Sequence, residues 1–116
     1  MLSMTAYKRG DIVLVPFPFS DQTTVKKRPA VIISSSLYNT TSQDIIMMAV
    51  TSRIDRLLDV GEYMIQNWKE AGLLKPSTIK PALSTIEQKL VLKKLGTLSA
   101  GDLTLLGAAL KDLMEL

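Results

Sequence analysis

Short apolar runs, each ended by proline or by hydroxyl side chains, set the narrowest limit on the fold. Residues 11–15 form the first run, which Pro16 and Pro18 interrupt. Residues 30–33 and 44–50 form the next two runs, and serine and threonine follow both of them. Valine, isoleucine and other apolar residues in runs of this length are typical of strands. The first half of the chain therefore predicts three strands joined by polar loops.

The second half of the chain predicts further extended pieces. Residues 62–65, 77–79 and 82–86 are expected to be strands, and Pro81 between the last two marks a bend or a sheet edge. Residues 66–71 predict one helical turn that a glycine closes.

The hydrophobic period changes after these strands. Residues 87–95 predict a short helix that Gly96 ends. Ser99 and Asp102 have the spacing of an N-cap and an acid at the third helical position. Leucines then recur at helical spacing, at Leu103, Leu106, Leu110 and Leu113. The pattern as a whole predicts a mostly β (α+β) fold, a small antiparallel barrel with short helices and a C-terminal helix.

Composition excludes several classes of protein. The 116 residues suit one domain, residues 1–116, and no apolar run approaches the roughly 18 residues that span a bilayer. The chain has no cysteine and no histidine, so disulfides, thiolate metal sites and a Ser-His pair are impossible. Neither a GxGxxG motif nor a Walker loop is present. We therefore expect no metal, no cofactor and no membrane span. The start of the chain lacks the pattern of a signal peptide, so we expect a cytoplasmic protein.

Polar clusters lie where predicted strands begin or end. They are Lys26-Lys27-Arg28, Thr51-Ser52-Arg53 and residues 75–80, which include Lys80. Strand ends and their loops form a common rim in a small barrel, so these clusters could converge on one face. The net charge of +3 is compatible with a polyanionic partner.

Each of these side chains also has an ordinary structural explanation. Arg28 could bind a phosphate with its fork, or it could pair with Asp21 or Asp11. Thr51 could donate to a phosphoryl oxygen or could cap a turn through its own backbone. Lys80 could line the rim or could simply be solvated. A cationic rim with hydroxyls suits phosphate chemistry that uses an internal nucleophile, and RNA offers its 2′-OH.

The order of motifs along the chain resembles the MazF/PemK family of type II toxin–antitoxin ribonucleases. Nearly the whole chain takes part, and the Gly-Asp strand opening, the Arg-Pro strand and the strand that ends in Thr-Ser form a specific combination. The matching stretches are RGDIVLVPFPFSD (9–21), KKRPAVIIS (26–34), Asn39, MAVTSRI (48–54), GLLKPSTIK (72–80) and LSTIEQKLVLKKLGTLS (83–99).

The resemblance implies a compact SH3-like barrel of the CcdB/MazF type that forms a homodimer. It implies a metal-independent endoribonuclease that prefers certain sequences in single-stranded RNA. The products would carry a 2′,3′-cyclic phosphate and a 5′-OH. It also implies a cognate antitoxin whose disordered C-terminal segment covers the RNA groove, so that DNA would be reached only through the antitoxin.

The resemblance also assigns residues. The arginine of the Arg-Pro motif falls on Arg28 and the threonine at the strand end falls on Thr51, which implies that these two are the catalytic pair. A further serine that contacts RNA in some members falls near Ser20. The remaining residues that we expect to bind RNA are Lys26, Lys27, Ser52, Arg53 and Lys80.

One feature departs from the family pattern. Several members have an acidic residue in the strand that matches TIKPALS, and residues 78–84 contain no carboxylate. Glu87 and Asp21 are the acids that we consider as replacements. Two alternatives therefore stay open, a catalytically weak or silent barrel that binds RNA or protein and a gyrase-directed toxin of the CcdB type. The second depends on an aromatic C-terminal end, and this chain ends LKDLMEL.

Overall fold

The structure is a computed structural model that describes residues 7–18, 25–54 and 58–116. Within these residues, six strands form one curled antiparallel sheet in the order β4-β5-β3-β2-β1-β6. The elements in chain order are β1 (Asp11–Pro18), β2 (Val25–Ile32), α1 (Ser36–Thr41), β3 (Asp44–Thr51), β4 (Tyr63–Met64), β5 (Thr78–Glu87), a 3₁₀ turn (Gln88–Leu90), β6 (Lys93–Thr97) and α2 (Ala100–Met114). The predicted mostly β fold with a C-terminal helix is confirmed. Ser20 and Asp21 lie outside the described residues.

Both faces of the central strands are buried, which explains why their sequences are nearly continuously apolar. Along β1, Ile12 belongs to the core under α2, whereas Val13 and Val15 belong to the core on the other face. β2 and β3 alternate in the same way. The core under α2 includes Val31, Met48, Val50, Ile79, Leu106 and Leu110, and the opposite core includes Ala30, Ile32, Ile45, Met47 and Ala49.

The C-terminal helix begins where the capping pattern predicted. The Ser99 hydroxyl oxygen accepts a hydrogen bond from the backbone N–H of Asp102 at 3.2 Å, which satisfies one of the free N–H groups of the first turn. The four leucines at helical spacing all lie in the core under the helix or pack against it.

The predicted helix over residues 87–95 is wrong. A 3₁₀ turn covers only Gln88–Leu90, and the chain then forms β6, which pairs with β1 so that Lys93 lies opposite Leu14. The backbone N–H of Leu92 donates to the carbonyl of Leu14 at 2.9 Å. The open edge of β1 offers these residues a full hydrogen-bond ladder, and tertiary pairing outweighs their weak intrinsic helix preference.

The two extended pieces predicted on either side of Pro81 belong to one strand, β5, and Pro81 lies in an irregular stretch of it. Met48 of β3 pairs with Leu83 and Val50 pairs with Ile79, so residues 80–82 of β5 lie opposite Ala49 alone. A proline cannot donate to a ladder and is tolerated in such a bulge.

The short helix α1 was not predicted from the sequence. Its buried Asn39 donates from Nδ2 to the carbonyls of Ser34 at 3.2 Å and Tyr7 at 3.1 Å. These bonds tie the helix to the residues just before it and to the distant Tyr7, so its position depends on a tertiary contact as well as on local preference.

Candidate functional site

A cavity of about 530 Å³ opens where β1, β2, β3 and β6 meet the chain before β5. Arg28, Thr51 and Ser52 all line it, so the structure brings together three of the residues singled out from the sequence. The remaining lining residues are mostly apolar, with two lysines: Leu14, Pro29, Val50, Gly72, Leu73, Leu74, Lys75, Ser77, Lys93 and Leu95.

The pairing of β2 with β3 explains why Arg28 and Thr51 meet. The paired register ends with Ala30 opposite Ala49. Two more residues along each strand would place Arg28 opposite Thr51. Pro29 lies in between, and because it has no N–H group it cannot extend the ladder as a donor. The β2–β3 ladder ends before this point, and we call the unpaired stretch the Arg28–Thr51 gap. Both members of the catalytic pair expected from the resemblance line the cavity there.

Arg28 is half-buried on β2, where the register places it opposite Val15. Asp11, one of the two carboxylates considered as its partner, is fully buried and is bound elsewhere. Its oxygens accept from the Lys8 backbone N–H at 3.0 Å and from the Thr97 hydroxyl at 2.9 Å, and the Lys94 ammonium lies 3.4 Å away. Asp21 cannot be placed, because it lies outside the described residues.

Thr51 ends β3 opposite Thr78 of β5. Its hydroxyl oxygen accepts the backbone N–H of Arg53 at 3.1 Å, so the turn-capping role considered from the sequence is present. A hydroxyl that accepts in this way still has its own proton to donate. The turn therefore fixes the oxygen of Thr51 and leaves its O–H group able to serve an acceptor in the cavity.

The charge of the cavity wall has one sign. Arg28, Lys75 and Lys93 are its three ionisable residues within the described part of the chain, and all three are basic. A cleft lined by one sign of charge between apolar walls concentrates counter-charged ligands. Lys75 belongs to a cluster that the sequence singled out, but Lys93 was missed because the sequence pattern predicts a helix there. Lys93 reaches the cavity because it pairs opposite Leu14 of β1, and sequence periodicity could not predict that pairing.

Four other predicted RNA-binding residues that the structure describes do not line this cavity: Lys26, Lys27, Arg53 and Lys80. Lys26 and Lys27 are exposed on β2, further from the gap, and pair with Phe17 and Pro16 of β1. Arg53 is exposed just beyond Ser52. Lys80 is half-buried in the bulge of β5. Ser20 lies outside the described residues.

A close crossing of two backbone segments forms the far wall of the cavity. Gly72 has φ of +85°, and a Cβ atom there would lie 2.0 Å from the carbonyl oxygen of Leu95. A Cβ atom on Gly96 would lie 2.4 Å from the carbonyl oxygen of Ala71. Only glycine permits this approach. The crossing holds the segment around Gly72 against β6, and Gly72, Leu73 and Leu95 form part of the cavity wall.

Asp102 anchors the segment that leads into this crossing. It is 1% exposed. One carboxylate oxygen accepts the Tyr63 hydroxyl and the Gln66 N–H at 2.8 Å, and the other accepts the Asn67 N–H at 2.8 Å and the Ser99 hydroxyl at 3.2 Å. Burial alone would raise the pKa of Asp102, but these donors outweigh it and hold the pKa below its usual value. The sequence indicated only the capping function of this residue.

Neither a metal-binding cluster nor a membrane-spanning helix is found in the part of the chain that the structure describes. That part contains no group of three or more His, Cys, Asp or Glu side chains that could hold a metal ion. No helix in the same residues has the length and apolar character needed to cross a bilayer.

Comparison with known structures identifies the type of fold. Among curated proteins, no sequence matches the chain. One similar solved structure is a mycobacterial endoribonuclease in complex with its cognate antitoxin, with a TM-score of 0.77 and 15% identity over 96% of this chain and 97% of that one. MazF from Deinococcus radiodurans has a TM-score of 0.74 and 18% identity over 97% of this chain and 99% of that one. The Mycobacterium tuberculosis toxin MazF-mt6 has a TM-score of 0.70 and 18% identity over 90% of this chain and 97% of that one. At these identities the likeness establishes the fold, and it confirms the predicted MazF-like barrel.

The sequence itself gives the family. A sequence model described as PemK-like, MazF-like toxin of type II toxin-antitoxin system matches residues 8–114, which is nearly the whole chain. The chain therefore belongs to the PemK-like, MazF-like toxins of type II toxin–antitoxin systems.

Proposed function

We propose that this toxin is an endoribonuclease that cuts single-stranded RNA at the Arg28–Thr51 gap. The observation that carries the proposal is the meeting of a guanidinium, a turn-fixed hydroxyl and two further cations in one cavity without a carboxylate in the described wall. Such a wall attracts a phosphate and repels no part of it. The mycobacterial neighbour, whose fold is similar, is itself described as an endoribonuclease.

The reaction that fits these groups is attack by the 2′ oxygen of the RNA on the adjacent phosphorus. The 2′-oxygen–phosphorus bond forms and the bond from phosphorus to the 5′ oxygen breaks. The 2′-OH loses its proton and the departing 5′ oxygen gains one, so the products are a 2′,3′-cyclic phosphate and a 5′-OH. The reaction consumes no water and needs no metal ion to balance it.

Arg28 and Thr51 have different functions in this scheme. The guanidinium of Arg28 stabilises the charge that builds on the phosphoryl oxygens in the transition state. A guanidinium has donors and no acceptor, which makes it a poor base, so charge stabilisation is the function we assign to Arg28. The hydroxyl of Thr51 donates to one non-bridging oxygen and orients the phosphate for in-line attack.

The test is cleavage of a labelled single-stranded RNA by purified protein in the presence of EDTA. We expect fragments with 5′-OH ends that a kinase can phosphorylate directly and 3′ ends blocked by the cyclic phosphate. Arg28→Ala is expected to lower kcat by about 10²–10³-fold, as loss of a charge-stabilising donor does elsewhere. Arg9→Ala is the matched control, because Arg9 is exposed and lies outside the cavity wall. Undiminished cutting by the Arg28→Ala protein would contradict the proposed site.

A catalytically silent RNA-binding barrel is the second candidate, and the lack of a nearby acid favours it. Neither residues 78–84 nor the described cavity wall supplies a carboxylate that could accept the 2′-OH proton. Tight RNA binding without any cyclic-phosphate product would favour this candidate. A change in DNA supercoiling by gyrase would instead point to a CcdB-like activity.

We also propose that the toxin acts in the cytoplasm as a homodimer, and that a cognate antitoxin blocks its RNA cavity and links it to DNA. The mycobacterial neighbour is described as bound to its cognate antitoxin, which supports a partner of this kind. Sedimentation of the purified toxin, alone and with the product of an adjacent reading frame, tests both associations. A strict monomer, or failure of the adjacent product to inhibit cleavage, would contradict them.

A further inference from the structure

Two lysines outside the proposed catalytic pair line the cavity, and they belong to different parts of the chain. Lys93 is the first residue of β6 and lies opposite Leu14 of β1. Lys75 lies in the segment between Gly72 and the start of β5. Both line the same cavity as Arg28.

Several other lysines in the described chain have protein partners. Lys94, next to Lys93, lies 3.4 Å from the buried carboxylate of Asp11. The ammonium of Lys89 lies 3.6 Å from Glu87, and that of Lys69 lies over the ring of Trp68. No ion pair among the described residues joins Lys75 or Lys93 to a carboxylate. Their charges are therefore not used to stabilise the described part of the fold.

Lys75 and Lys93 lie on one cavity wall and are both exposed, so their ammonium groups can reach a ligand that enters the cavity. A single phosphate held at Arg28 and Thr51 leaves the two lysines on the surrounding wall. A nucleic acid strand supplies further phosphates on both sides of the reacting one.

We infer that Lys75 and Lys93 bind the phosphates that neighbour the scissile phosphate and so position the RNA strand across the Arg28–Thr51 gap. The inference rests on the proposed function, and it concerns positioning rather than the chemical step. A lysine ammonium suits this task because it binds any phosphate as a point charge without reading the base. The two residues therefore determine how tightly and in which direction the strand lies in the site, and they do not determine its sequence preference.

The test measures binding of an RNA that cannot be cut, because the attacking 2′-OH is replaced by a 2′-O-methyl group. Affinity is measured at several salt concentrations for the wild type and for the Lys75→Gln, Lys93→Gln and double variants. The slope of log K against log salt should shrink by roughly 0.7 for each phosphate that the variant no longer neutralises. With cleavable RNA, KM should rise several-fold while kcat changes little, because the lysines hold the strand equally in the ground and transition states.

Matched variants separate charge from structure. Lys111→Gln removes an exposed lysine on α2, away from the cavity, and should leave the salt slope unchanged. Lys93→Arg keeps the charge and should keep the slope, whereas a purely structural role for the side chain would be disturbed by both substitutions at this position.

The outcomes distinguish the inference from the function on which it rests. If wild-type protein cuts RNA but the double variant keeps the wild-type slope, phosphate binding by the lysines is refuted and the endoribonuclease proposal stands. If the wild-type protein binds cleavable RNA without cutting it and the salt slope is smaller in the double variant, phosphate binding by the lysines is supported and the cleavage proposal is refuted. If wild-type protein does not bind RNA at all, both are overturned.

Discussion

Removal of the Tyr63 hydroxyl tests how firmly the Asp102 anchor holds the fold. Tyr63→Phe deletes one donor to a buried carboxylate and changes nothing else in the side chain. Asp102 keeps three donors, the N–H groups of Gln66 and Asn67 at 2.8 Å and the Ser99 hydroxyl at 3.2 Å. The carboxylate therefore stays satisfied, and the cost of the substitution is close to the value of one hydrogen bond.

The magnitude follows from the charge of the acceptor. A hydrogen bond to a charged group contributes about 1.5–3 kcal/mol. Because three donors remain, we expect the lower end, about 1.5–2 kcal/mol of unfolding free energy. For a domain of this size each kcal/mol shifts the melting temperature by about 4 °C, so the expected loss is roughly 6–8 °C.

The assay is urea unfolding near neutral pH, with Tyr38→Phe as the matched control. The hydroxyl of Tyr38 makes no hydrogen bond within the described residues, so its loss should cost less than about 0.5 kcal/mol. The reasoning is refuted if the two variants unfold at the same urea concentration.

The dependence on pH gives a second check with a definite sign. The pKa of Asp102 is lowered in the folded protein, so its contribution is present above the unfolded value of about 3.9 and is lost as pH falls through the folded value. Burial and then Asp102 raise the pKa of Tyr63, so the contribution of its hydroxyl is present below about 10 and is lost as pH rises further. The difference between wild type and Tyr63→Phe should be flat from about pH 5 to 9 and should shrink on both sides. A difference that grows on either side would contradict this account.

Three further substitutions, one of them with a matched control, probe other parts of the fold. Gly96→Ala places a methyl group 2.4 Å from the carbonyl oxygen of Ala71 and should lower the unfolding free energy by about 3 kcal/mol or more in thermal unfolding. Its control, Gly107→Ala, adds a methyl group to open space on α2 and should raise the unfolding free energy by about 0.5–1 kcal/mol. An unchanged stability of Gly96→Ala would argue against the backbone crossing. Gln88→Ala removes an amide that donates to three backbone carbonyls around α1, at 2.6, 3.0 and 3.2 Å, and should cost about 1–3 kcal/mol and reduce amide protection in α1, which hydrogen exchange would show. Ser99→Ala removes the N-cap of α2 and should lower unfolding free energy by about 1 kcal/mol, a loss that calorimetry can detect or exclude.

The strands that pack on both faces were predictable because burial determines their composition. β1, β2 and β3 carry apolar side chains toward both cores, so each appears as a nearly continuous apolar run. The start of α2 was predictable for a local reason, since Ser99 and Asp102 make the capping contact within four residues. Both signals are contained in short windows of sequence.

β6 was not predictable, because what makes it a strand lies far away in the chain. Residues 87–95 are rich in leucine and lysine, which favour helices weakly, and their partner is β1 at the other end of the chain. The same cause hid Lys93 from the site. Similarly, α1 depends on the buried amide of Asn39, whose partners Ser34 and Tyr7 could not be inferred from helix propensity.

The candidate site also has a part that could be predicted from the sequence and a part that could not. Arg28 and Thr51 could be singled out because each lies at the end of an apolar run. Lys75 belongs to a polar cluster that was singled out, but the wall around it could not be predicted. That wall depends on the close approach of Gly72 to Leu95 and Gly96, which no local sequence pattern indicates.

The pairing of β1 with β6 also fixes when the site can exist during synthesis. Arg28 and Thr51 leave the ribosome early, but Lys93 and Leu95 complete the cavity wall from the last quarter of the chain. Until those residues emerge, one edge of β1 has no partner and Gly72 has no strand to cross. A nascent toxin therefore carries its proposed catalytic pair on an unfinished wall, and the cavity is complete only after Lys93 and Leu95 have been added.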